Sequence, residues 1–193
     1  MNNKGFVSIV LVVIAVAVIA TAGYFVFLKK SWPVIQKSDA KIYTNTYESF
    51  SFQFPEGFEK SRHDFQSVKS SEVFFTNYGE PDVSGLPPFG KAHIAYGSWQ
   101  DEDGSDFEAH ISGRSSSPSS SKTETTLMGM PAIRIVSESP TNTNPVRIER
   151  EISYFVHRGE KSHQFFLEYF KDDPHGSEYE KSFEAMMSTV EKL

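Results

Sequence analysis

The run from Phe6 to Leu28 reads FVSIVLVVIAVAVIATAGYFVFL, 23 positions without a charged side chain. As a helix rising about 1.5 Å per residue it would extend roughly 35 Å, enough to cross a hydrocarbon core of about 30 Å with some tilt. The sequence therefore predicts a transmembrane helix, with the lipid bilayer as the partner of Phe6 to Leu28. Everything else is arranged around that expectation: residues 1–5 form an N-terminal tail, 29–40 a stalk, and 41–193 one tethered domain. In the stalk, Trp32 suits the headgroup layer and Pro33 stops the helix.

Two other identities for the apolar run stay open. A cleaved signal peptide would place its apolar region at 6–19 and its small-residue cleavage site at Ala20-Thr21-Ala22. The apolar run continues through Tyr24, Phe25, Val26, Phe27 and Leu28, which favours a retained anchor. Lys4-Gly5-Phe6 also looks like the basic-Gly-Phe processing site of type IV pilin-like proteins. Those proteins carry a glutamate at the fifth position after the cut, and here that position is Val10. A pilin-like subunit is thus a distant alternative. Orientation is contested as well. Lys29, Lys30, Lys37 and Lys41 follow the run and only Lys4 precedes it, which draws the domain to the cytoplasm. Long domains translocate largely regardless of charge, and an acidic, Ser/Thr/Asn-rich domain suits the extracytoplasmic side.

Composition narrows the chemistry. The chain has no cysteine, which excludes disulfides, thiolate metal sites, a cysteine nucleophile and lipid attachment at cysteine. Lys4, Lys29 and Lys30 are the only charges in the first 30 residues, so of 19 basic and 25 acidic side chains the remainder holds 16 and 25. A domain that acidic repels phosphate backbones, and no nucleic-acid partner is expected. Seventeen Phe and eight Tyr predict an aromatic-rich sheet core.

Periodicity then lays out the domain. Strands are expected at 42–46 and 48–54, where Phe50, Phe52 and Phe54 alternate with polar residues, at 65–69 and 73–77, and at 91–99. Residues 79–90 read as a loop broken by Pro81, Gly85, Pro87 and Pro88. A short helix follows, opened by a capping box of Ser105 and Glu108, with Phe107 and Ile111 on one face. The serine-rich stretch 113–122 reads as a mobile, solvated loop. Further strands are expected at 123–127, 132–138, 146–157 and 161–170, the last two joined across Arg158-Gly159-Glu160. A second capping box, Ser177 and Glu180, opens a C-terminal amphipathic helix carrying Tyr179, Phe183, Met186, Met187, Val190 and Leu193. The fold class is therefore α+β: a mostly antiparallel sheet covered by a short central helix and the terminal one.

The segment Tyr47-x-x-Phe50-x-Phe52-x-Phe54-Pro55, the run Gly129-x-Pro131-Ala132-x-Arg134, the Tyr/Phe-rich hairpin and the amphipathic helix together resemble the PsbP-like (Mog1/PsbP) α/β/α-sandwich group. The resemblance covers residues 41–193. It implies a binding or assembly domain, often extracytoplasmic and membrane-attached, with no common catalytic motif, so no site residue carries over. Pro131 and Arg134 read more simply as strand-edge residues.

Candidate chemistry is sparse. Asp101, Asp103 and Asp106 lie in DEDGSD, but counted from Asp101 the glycine falls at position 4, position 5 is Ser105 and position 12 is Ser112. That pattern departs from an EF-hand and reads as a helix-capping acidic loop. None of His63, His93, His110, His157, His163 and His175 are paired at the i, i+4 spacing of a zinc hydrolase. His157 and His163 flank one hairpin and are placed to face each other across strands, and Glu149 and Glu151 share a strand face. No G-x-S-x-G elbow, P-loop or dinucleotide fingerprint occurs. No catalytic, cofactor-binding or metal residue is assigned. The leading expectation is a non-catalytic binding or assembly domain with a possible envelope-protein partner. The alternative is a metal-dependent or hydrolytic membrane-tethered enzyme using the histidines and the acids from Asp101 to Asp106.

Overall fold

The computed structural model describes residues 41–79 and 85–192. The apolar run Phe6 to Leu28, the tail, the stalk, Pro81 and Leu193 lie outside the described residues. None of the described helices is long and apolar enough to cross a membrane.

Among the described residues ten strands and two helices follow in the order β1 (Ile42–Asn45), β2 (Phe50–Gln53), β3 (Glu59–Gln66), β4 (Ser71–Thr76), β5 (Ala92–Gln100), α1 (Ser105–Ser115), β6 (Ser121–Leu127), β7 (Met130–Pro140), β8 (Ile148–Arg158), β9 (Lys161–Phe170), α2 (Gly176–Met187) and β10 (Glu191–Lys192). Seven strands form one antiparallel sheet in the order β3-β4-β5-β9-β8-β7-β6, and β1-β2-β10 form a small second sheet. The α+β expectation thus holds for the domain.

The centre of the large sheet is the β8–β9 hairpin. Arg158 pairs with Lys161, so the loop is Gly159-Glu160 and not the three residues expected from the sequence. Gly159 takes φ +62°, a conformation that costs glycine little and fits a two-residue hairpin turn. Because side chains alternate across a strand, one residue of register decides which face each occupies. Register places Tyr154 opposite Phe165 and Ile152 opposite Leu167 on one face, and Ser153 opposite Phe166 and Glu151 opposite Glu168 on the other.

The first face is the main core. Phe165, Leu167, Tyr96, Ile94, Phe75 and Val73 from the sheet meet Phe50 and Phe52 from β2 and Phe183, Met186 and Met187 from α2. The alternation seen in the sequence around Phe50 and Phe165 is what makes this possible. Phe50 and Tyr96 pack edge-on at 4.8 Å between ring centroids, and Phe52 and Phe165 at 5.8 Å. Two glutamates one turn apart pin α2 to this face. Glu184 accepts from Arg134 Nη2 at 2.8 Å and from the Tyr154 hydroxyl; Glu180 accepts from Arg150 Nε at 2.8 Å and from the Tyr169 hydroxyl. Arg134 is not an edge residue, since it pairs with Thr123 of β6 and Tyr154 of β8, whereas Pro131 pairs with β6 alone. The helix can begin so close to the sheet because Gly176 lacks a Cβ, which would lie 2.6 Å from the Tyr169 ring.

The opposite face is covered only in part. α1 packs Ile111 and Phe107 onto Ile135, Phe155, Ile133 and Trp99. Its N-terminus is not closed by the expected Ser105/Glu108 box. Gly104 is the N-cap residue, with φ +76°, and Asp101 at the end of β5 accepts from the amides of Asp106 (3.2 Å) and Phe107 (2.8 Å). A carboxylate there satisfies orphan donors and complements the helix dipole. The Ser177/Glu180 box fails similarly, because Ser177 already lies inside α2, whose N-cap residue is His175.

Three other expectations are corrected. The stretch 113–122 is mostly structured: α1 runs to Ser115 and β6 starts at Ser121. Between them Ser120 Oγ donates to Ser115 O at 2.8 Å and Ser119 Oγ to Glu138 O at 2.7 Å, so serine hydroxyls tie the turn down. The strand expected at 65–69 is β3, which starts at Glu59; its run EKSRHDFQ shows little alternation because it is a charged edge strand. β10 is only two residues long and pairs with β2 beyond the terminal helix, where no strand was expected.

The core account predicts a contrast between two phenylalanines. Phe165→Ala, at a position with 0% exposure, is expected to lower unfolding free energy by about 3–5 kcal/mol in urea titrations of the full chain. Phe65→Ala, at a position 52% exposed on the edge strand, is expected to change it by less than about 0.5 kcal/mol.

Candidate functional site

The half of the second face beyond α1 holds a recess of about 340 Å³ lined by Phe74, Gly85, Leu86, His93, Glu149, Phe166 and Glu168. Four strands supply it. Register brings His93 opposite Glu168 and Ala95 opposite Phe166 across β5 and β9, and Phe74 opposite Ala95 across β4 and β5. The three rings pack edge to face: Phe74 to His93 at 5.8 Å, His93 to Phe166 at 5.8 Å, and Phe74 to Phe166 at 6.4 Å.

Carboxylates gather beside this aromatic floor. Glu151 is directly opposite Glu168, and Glu149 is two residues along the same strand face. Like charges directly opposite each other are destabilising. Arg114 from α1 pairs with Glu151, which also accepts from Ser153 Oγ. Among the described residues Glu149 has no hydrogen-bond or ion-pair partner. Its half-buried position first, and then the charges of Glu168 and Glu151, push its carboxyl up to about 7, with Arg114 pulling the other way. Burial, reinforced by Glu168, also pushes the Tyr78 phenol up to about 12.

His93 is buried at 4% exposure. Its Nδ1 is 3.4 Å from the Tyr78 hydroxyl, and its Nε2 is 3.3 Å from Glu168 Oε2. That second approach lacks hydrogen-bond alignment, so Nε2 is a buried polar atom without a hydrogen-bond partner. Such an atom is costly to leave unmet.

The residues singled out from the sequence are dispersed. His157 and His163 do not face each other. Because the turn has two residues, His157 pairs with Ser162 and His163 with Val156, and the two imidazoles point to opposite faces. His157 Nδ1 lies 3.0 Å from Ser162 Oγ, while His163 Nδ1 lies 3.0 Å from the buried Tyr96 hydroxyl. Asp101 is engaged by the α1 amides and by Ser162 Oγ at 2.6 Å. Asp103 accepts from the Ser105 amide at 3.0 Å. His63 pairs with Glu72 at 2.8 Å, His110 packs on Trp99, and His175 turns back to Asp173. Among the described residues no three His, Asp or Glu side chains are placed to hold a metal ion.

A second recess, near Lys41 and Tyr43 at the start of the domain, differs in that its polar groups are satisfied. Asp64 accepts from Lys60 at 2.7 Å, from Gln66 at 3.1 Å and from the Tyr43 hydroxyl at 3.3 Å. The grouping of His93, Glu149 and Glu168 was missed in the sequence, although Glu149 and Glu151 were read as one strand face. The signal that would have found it is the length of the hairpin turn, which fixes Glu151 opposite Glu168.

No family model matches the chain, and no curated protein matches it. Among solved structures the chain is similar to a protein from Bacteroides thetaiotaomicron, at 11% identity over 81% of this chain, with a TM-score of 0.49. The chain spans 49% of the length of that protein. It is also similar to LpqN, described as involved in cell envelope biogenesis of Mycobacterium tuberculosis, at 10% identity over 81% of this chain and 86% of that one, TM-score 0.48. A third is the cyanobacterial PsbP (CyanoP) of Synechocystis, at 12% identity over 79% and 92%, TM-score 0.47.

The charge inventory predicts a pH-dependent gain in stability. A carboxyl raised from about 4.5 towards 7 on folding makes the native state bind more protons in that window, so stability falls as pH rises through it. Glu149→Gln removes the penalty. It is expected to raise stability by about 1 kcal/mol at pH 8, discounted for partial solvent screening, and to change little at pH 5. Denaturant midpoints at the two pH values check this.

Proposed function

We propose that the chain is a membrane-tethered binding or assembly domain of the PsbP-like kind, non-catalytic and displayed outside the cytoplasm. The observation that carries the reading is the uncharged run from Phe6 to Leu28, separated by thirteen residues from the first strand, which opens at Ile42. A segment of that length and composition is costly to leave in water and suited to a bilayer core. The layer order supports the PsbP-like part: α1 lies on one face of the seven-stranded sheet and α2 on the other, the α/β/α arrangement that the sequence resemblance implies. The acidic balance beyond residue 30 supports display on the side away from anionic inner-leaflet lipid and nucleic acid. The aromatic and acidic recess is the surface that the binding role would use, and an envelope protein or a small ligand is its expected partner.

Fractionation tests the tether and its side together. The full chain is expected to remain with membranes through an alkaline carbonate wash, and protease added to intact cells is expected to remove the domain. Release by carbonate would contradict the anchor. Protection until lysis would place the domain on the cytoplasmic face.

A further inference from the structure

We propose that the recess over Phe74, His93 and Phe166 is a binding site for a primary organic ammonium, its charge held between Glu149 and Glu168 and its alkyl chain lying on the aromatic floor. This deepens the binding-domain reading and rests on it for the recess being a working surface.

Three observations converge on that chemistry. The first is charge. Arg114 neutralises Glu151, but among the described residues no arginine or lysine lies within ion-pair distance of Glu149 or Glu168. Two such carboxylates, diagonal to each other on one face of β8 and β9, attract a cation from solution. The second is His93. In the tautomer that donates Nδ1–H to the Tyr78 hydroxyl, Nε2 presents a lone pair 3.3 Å from a Glu168 oxygen. Two acceptors side by side in a buried setting are reconciled by a donor placed between them, and an ammonium carries three N–H groups. This atom is buried and without a hydrogen-bond partner, and His93 is one of the residues that line the recess. The third is the apolar wall. Phe74, Phe166 and Leu86 offer hydrocarbon and π surface to an alkyl chain and its adjoining charge. The same sheet face already holds a cation in this manner a short way along: the Arg147 guanidinium sits 3.8 Å from the Phe89 ring centroid and 5.5 Å from that of Phe170.

A divalent metal fits less well. Its ligands would have to converge within about 2.0–2.6 Å, and the carboxylates and imidazole here are not so grouped. An ammonium demands only hydrogen-bond distances and tolerates the aromatic surroundings.

The test uses the full chain, isotopically labelled, in neutral detergent micelles, titrated with n-butylammonium chloride at constant ionic strength and followed by NMR. 1-Butanol serves as the neutral comparator. Saturable shifts at His93 and Phe166 are expected with butylammonium and not with butanol. Glu168→Gln and Glu149→Gln are each expected to weaken binding about ten-fold or more, since each removes a charge-assisted hydrogen bond. Both relieve like-charge repulsion, so both variants should fold. Glu124→Gln, on the exposed edge strand β6, is expected to leave binding unchanged. The proposal is overturned by equal binding of butanol, by insensitivity to both glutamate variants, by absence of saturable binding, or by calcium or zinc displacing butylammonium from the same residues. Loss of binding in a chain that still sediments with membranes overturns this inference alone. Binding in detergent by a chain that external protease cannot reach overturns the location and leaves the ammonium site standing.

Discussion

The register of the β8–β9 hairpin is the constraint on which the rest depends. A two-residue turn at Gly159-Glu160 locks ten cross-strand pairs, from Arg158 with Lys161 to Glu149 with Phe170. A slip by one residue would turn Phe165, Leu167, Ile152 and Tyr154 away from the core and expose them. The strands added on either side, β5 next to β9 and β7 next to β8, inherit the same alternation. So one turn near the C-terminal end of the domain decides which face of seven strands becomes aromatic core and which becomes mixed.

The two faces are then closed by different means. The aromatic face is sealed by the small sheet and by α2, with each of Glu180 and Glu184 taking one arginine and one tyrosine from the sheet. The mixed face is sealed only where α1 lies, and α1 itself is seated by Asp101 reaching its first-turn amides from the end of β5. What stays open is the part where β8 and β9 carry glutamates. A buried or half-buried carboxylate without a counter-charge opposes folding, and such groups are retained where a surface serves something other than stability. This is the physical basis of the proposal that the recess, and not the dispersed histidines, is the surface a binding role would use.

Much of this architecture was legible in the sequence, and the parts that were not have a common cause. Alternation at Phe50–Phe52–Phe54 and at Phe165–Leu167–Tyr169 announces strands with one apolar face, and the spacing of Tyr179, Phe183, Met186 and Met187 announces a docked helix. Those signals are local. Helix caps were misread because Ser105 and Ser177 have the right spacing, while the group that closes α1 is a carboxylate four residues before Ser105. β3 was largely missed because an edge strand full of Lys, Arg and Asp has no apolar period to show. The recess was missed because it is assembled from β4, β5, β8, β9 and the loop at Leu86, which are far apart in sequence. Reading the hairpin turn as three residues instead of two was enough to put His157 and His163 on one face and to hide Glu151 against Glu168.

The account's central claim is that register crowds Glu149, Glu151 and Glu168 into one partly dry corner. The most direct measurement is a carbon-detected NMR titration of the glutamate side-chain carboxyls in the full chain, with Glu149→Gln used to assign the resonance. The account predicts that Glu149 titrates near 7, well above the ordinary carboxylate range. A Glu149 midpoint within the ordinary carboxylate range would contradict it, since neither the crowding nor the open, uncompensated recess would then exist as described.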